Sequence, residues 1–118
     1  MNRLIVFLIL CAVISCDEKY YPPEITIISP KNKSLFVPGD TVVIEAEVWC
    51  DWKTGVEFVY FNLDGVELGM ANDTIYPYRY ELDTKWLGVG GYTITATVID
   101  MLWGRATDNI TIINRTYQ

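Results

Sequence analysis

An all-β fold, a sandwich of two packed sheets made from about seven short strands, is what this sequence predicts, and three observations carry the prediction. From residue 24 onward apolar side chains recur at every second position, the period of a strand with one buried face. Turn-forming Gly, Pro, Asn and Asp separate these runs at short, regular spacing. No window of ten residues carries an apolar stripe at helical spacing. Several short strands punctuated in this way close as two layers rather than one.

The elements follow in order. EITII sets Ile25 and Ile27 on one face. TVVIEAEVW turns Val42, Ile44, Ala46 and Val48 inward, with Val43, Glu45 and Glu47 opposite. VEFVYFNL offers Val59, Phe61 and Leu63 to the core, and the Asp64-Gly65 pair before VELG is a two-residue hairpin signal, because both central positions of a type I′ turn need positive φ. YTITATVID alternates most cleanly, Tyr92, Ile94, Ala96 and Val98 against Thr93, Thr95 and Thr97, and TDNITII ends the series with Ile110 and Ile112.

Residues 1–15 have a different character. Arg3 precedes an apolar run over residues 4–14, then comes Ser15. Eleven residues rise about 16 Å as a helix, roughly half the hydrocarbon thickness of a bilayer, so the run reads as an export signal rather than a span. The segment Val13-Ile14-Ser15-Cys16 resembles the lipobox of bacterial lipoproteins. That resemblance implies cleavage before Cys16, diacylation of its thiol and acylation of the new amino terminus. One acyl chain holds a protein only marginally, and two or more make attachment durable. Asp17 resembles a retention signal for the inner membrane that only some bacterial groups use, so the leaflet stays open. The division expected is a signal peptide at 1–15, a lipidated cysteine and short tether at 16–23, a sandwich at 24–114 and a tail at 115–118. Seven extended residues, 17–23, reach about 23 Å, which keeps the domain near its membrane.

Charge and composition exclude several functions. The net charge is −6, and removing residues 1–15 takes Arg3 from the 9 basic residues and no acid, leaving 8 against 15, or −7. That sign disfavours nucleic acid and electrostatic adsorption to anionic lipid. With no histidine a Ser-His-Asp triad is excluded, and the commonest nitrogen ligand for zinc is missing. Of three cysteines only Cys50 lies in the body, so the sandwich has no inter-sheet disulfide. A lone thiol in an exported protein suggests intermolecular pairing or simple burial, and its place at the end of a strand next to Trp49 favours burial for Cys50.

The series from ITIISP and VPGDTVVIEAEV through GVEFVYFNLDGVELG and YPYRYELDT to GYTITATVIDMLWG and NITII resembles the bacterial immunoglobulin-like domains. The resemblance implies a Greek-key sandwich in which Tyr92 is the tyrosine-corner residue. Ile94 stands where an antibody-type domain has a cysteine, with an aliphatic such as Ile44 as its partner. Taken with the lipobox resemblance, it implies a non-catalytic binding or structural module of the bacterial cell envelope, without cofactors, the lipobox adding export and attachment to a membrane through lipid on Cys16. Such domains occur as repeats in larger proteins, so a single copy suits a piece of one.

Immunoglobulin strand order brings three loops to one pole: 50–53, 72–74 and 100–103. Trp52 and Trp103 with Asp51, Asp73 and Asp100 then form a candidate binding pole for an envelope protein, where Trp anchors dominate energetics, or for sugar rings stacked on indoles. The alternative is structural: Trp49 and Trp103 capping the open end of the sandwich, with Trp52 placed between the two roles and Trp86 capping the opposite end. Three acids at one pole suit calcium, but no dense D-x-D-x-D loop is present, and Asp100 is explained by hydrogen bonds to the loop it starts. No pair of carboxylates suggests a pocket for acid and base catalysis.

Overall fold

The computed structural model describes residues 19–71 and 77–115. Eight strands form among them: β1 (Glu24–Ser29), β2 (Ser34–Phe36), β3 (Thr41–Trp49), β4 (Val56–Leu63), β5 (Val66–Met70), β6 (Tyr78–Asp83), β7 (Gly90–Asp100) and β8 (Arg105–Asn114). One sheet has the order β1-β3-β6 and the other β2-β8-β7-β4-β5, so from β3 onward the chain changes sheets between β3 and β4, β5 and β6, and β6 and β7, as a Greek key requires, and before β3 it crosses to β2 and back. The eighth strand arises because the first one divides. β1 pairs antiparallel with β3, while β2 crosses to the other sheet and pairs parallel with β8.

The alternation read from sequence is the burial observed. Ile25, Ile27, Ile44, Ala46, Val59, Phe61, Ile94, Ala96, Val98, Ile110 and Ile112 meet between the sheets in one core. Ile44 and Ile94 are both fully buried, so aliphatic packing occupies the place an inter-sheet disulfide would have. Glu45 faces Arg79 across the β3–β6 ladder, and their side chains pair at 3.3 Å on the outer surface.

The turns obey their residue chemistry. Asp64 has φ 49° and Gly65 φ 84°, so both central positions of the β4–β5 hairpin are left-handed, and the Asp64 carboxylate accepts from the Thr93 amide at 2.8 Å. The Tyr92 hydroxyl donates to the Gly88 carbonyl at 2.8 Å, the bond of a tyrosine corner.

That end of the molecule, the far pole, is also tied by two buried polar side chains. Thr84 donates to the Asp40 carbonyl at 2.6 Å and accepts from the Gly39 amide, while the Asn114 amide donates to the carbonyls of Leu87 and Gly88. These bonds satisfy backbone groups of the two irregular connections at this pole, 37–40 and 84–89, which lie outside the ladders.

Candidate functional site: the loop pole and the adjoining groove

At the near pole the lead-in 19–23 meets the connections 50–55 and 101–104, which join β3 to β4 and β7 to β8. Asp100, the last residue of β7, organises the meeting. Its side chain is fully buried, and one carboxylate oxygen accepts from the amides of Leu102 at 2.9 Å and Gly104 at 2.7 Å. The other accepts from the Tyr20 hydroxyl at 2.6 Å. Burial works against its charge, but the bonds from Tyr20, Gly104 and Leu102 outweigh that and hold the carboxyl below its ordinary pKa. The same bond, with burial and the Asp100 charge, pushes the Tyr20 phenol up to about 12. A Cβ at position 104 would overlap the Tyr20 hydroxyl, so glycine there is what lets the lead-in lie against the hairpin.

Asp51 is buried in the same way. It accepts from the Lys53 amide through its side chain and from the Thr54 and Gly55 amides through its carbonyl. Asp51 and Asp100 therefore shape their loops from within and offer little charge to the surface. Asp73 lies outside the described residues, as does Cys16. Among the described residues no three His, Cys, Asp or Glu side chains gather in a metal-holding group. Cys50 is half-buried rather than enclosed, and burial with the Asp100 charge raises its thiol pKa, which makes it a poor nucleophile near neutral pH.

The expected tryptophan caps do not form. Trp49 is 49% exposed, Trp52 87%, Trp103 75% and, at the far pole, Trp86 83%. The core closes without them, because Val48, Val56, Tyr78 and Leu87 fill in around it. Trp86 instead lies against the Lys85 ammonium, 5.7 Å from the ring centre.

Trp103 has a left-handed backbone, φ 68°, a conformation that suits glycine. Its ring borders an open groove of about 520 Å³ on the outer face of the larger sheet, lined also by Phe58, Tyr60, Met70, Glu67 and Arg105. Phe58 and Tyr60 alternate with the core residues Val59 and Phe61 along β4, which is why they face outward. Their rings lie 5.9 Å apart, and Arg105 donates to the Tyr60 hydroxyl at 2.7 Å. Sequence reasoning found Trp103 and missed the groove. Period two marks Phe58 and Tyr60 as outward, but their meeting with Met70 and Arg105 depends on sheet order.

Residues 23–96 match the family model described as Bacterial Ig domain. No curated protein matches the chain. Among solved structures, the fibronectin(III)-like modules of Clostridium thermocellum CbhA share 21% identity at a TM-score of 0.68, the match covering 82% of this chain and 48% of that one. The endo-beta-1,4-mannanase of Thermotoga petrophila shares 17% at a TM-score of 0.68, over 86% of this chain and 21% of that one. The chain thus spans less than half of either, and at these identities the likeness is one of fold. Sandwiches of this kind are typically non-catalytic modules in binding or structural roles, some of them within enzymes. With well over half of its residues inside the family match and the two-sheet order that match implies, the chain belongs to the bacterial Ig domain family.

Proposed function

We propose that this protein is a non-catalytic, membrane-anchored Ig-like module of the bacterial cell envelope. Lipid on Cys16 holds it, and the groove beside Trp103 docks a protein partner in an assembly or adhesion role. Trp103 is the observation that carries the reading. A large ring held on a left-handed backbone and left mostly exposed costs stability in the free chain, and bound partners are what recover such costs. Phe58, Tyr60 and Met70 give the groove an apolar floor, and Glu67 and Arg105 give it a polar rim, the make-up of a protein docking surface.

A photo-crosslinking residue in place of Trp103, in the native host, is expected to trap one dominant envelope protein, and the same residue in place of Trp86 none. Equal, diffuse labelling from both positions would remove the docking role. Cys16→Ser is expected to release the chain from the membrane fraction.

A carbohydrate partner is the second reading, favoured by the aromatic faces of Phe58, Tyr60 and Trp103 around one groove. It requires tryptophan fluorescence to change on titration with a glycan, and a flat response across a broad panel excludes it.

A further inference from the structure

We propose that the tip of the near pole, Trp52 with Met101 and Leu102, rests in the headgroup layer of the bilayer as a second contact beside the anchor. The proposal depends on lipidation of Cys16. Its first ground is the position of the lead-in. Lys19 and Tyr20 line a shallow cavity with Asp51, Lys53, Thr54 and Leu102, and the Tyr20 hydroxyl is bonded to Asp100. The lead-in therefore leaves the domain at this pole. Four residue steps separate Cys16 from Tyr20, a reach of at most about 14 Å. The far pole lies the length of β7 away, 11 residues or about 36 Å. A lipid at Cys16 accordingly brings the near pole to the membrane and holds the far pole off it.

The chemistry of the tip is the second ground. Trp52, Met101 and Leu102 are exposed, Trp49 and Tyr21 are half-exposed behind them, and Lys53 and Lys19 stand alongside. The Met101 amide bonds to the Gly55 carbonyl, so the two loops form one surface. Trp and Tyr settle at the headgroup level, where an amphipathic ring has both apolar and wet surroundings. The two acids in these loops, Asp51 and Asp100, are turned inward and hydrogen-bonded, which takes their charge away from the lipid. Exposed Glu24, Glu47 and Glu57 stand a step back, on β1, β3 and β4. A contact too weak to bind alone is populated once the anchor makes it intramolecular.

The test uses the full chain, lipidated in a bacterial host and reconstituted into vesicles of phosphatidylethanolamine and phosphatidylglycerol carrying lipids brominated high on the acyl chain. Two variants keep a single tryptophan, Trp52 or Trp86, with Phe at the other three positions. Trp52 fluorescence is expected to be quenched several-fold more than that of Trp86. In the unsubstituted chain, a membrane-impermeant amine reagent is expected to modify Lys53 several-fold more slowly in vesicles than in detergent, with Lys85 unchanged, so the outcome does not hinge on the variants folding. A chain that floats with the vesicles while Trp52 and Lys53 behave like Trp86 and Lys85 keeps the anchor and overturns the contact. A chain that does not float overturns both.

Discussion

Asp100 is the residue on which the near pole turns, since one carboxylate closes the β7–β8 hairpin and also holds the lead-in through Tyr20. The Tyr20 pKa is raised from 10.0 to about 12, so the bond stabilises the fold fully below pH 10 and is lost as the pH rises toward 12. Asp100, whose pKa is lowered, contributes in the opposite sense: its share is present above 3.8 and is lost as the pH falls through the lowered value. Urea unfolding at stepped pH should show a midpoint falling between pH 10 and 12, and Tyr20→Phe should flatten that fall. An equally steep fall in the variant would mean that Tyr20 carries no linkage. The loop-forming role of Asp100 was legible in the sequence because it is local. Tyr20 was not, because its partner lies 80 residues away and the signal, a bare Gly104 beneath the phenol, exists only once the chain is folded.

At the scale of the element, the strands were legible because each buries one face, and burial follows the period-two pattern from Ile25 to Ile112. β2 was not, since three residues carry no period and a parallel pairing with β8 leaves no local mark. The tryptophan caps failed for a related reason: sequence shows that a large ring sits at a strand end but not whether smaller side chains have already closed the core. Two element-level outcomes follow from the connections. Thr84→Val and Asn114→Leu each leave backbone groups of the far pole without their side-chain partners and should cost about 1–3 kcal/mol in chemical unfolding. Losses well below that range would show that water replaces these bonds. Trp103→Gly relieves the left-handed backbone and should raise stability by about 1 kcal/mol while weakening capture of the partner. A variant that loses stability would show that the ring supports the hairpin.

For the whole molecule, the two-sheet order and the aliphatic pair Ile44 and Ile94 account for a bacterial Ig domain that stands without a disulfide. Its polarity comes from the lead-in, which leaves beside the Trp52 loop while Trp86 lies at the other end. Whether that polarity has a use depends on Cys16, a position whose role was read from four residues of sequence. Intact mass spectrometry of the mature chain from its native host is the most direct measurement. The account predicts a chain beginning at Cys16, with a diacylglyceryl group on its sulfur and an acyl group on its amino terminus. A mature chain with an unmodified Cys16, or one that retains residues 1–15, would contradict it.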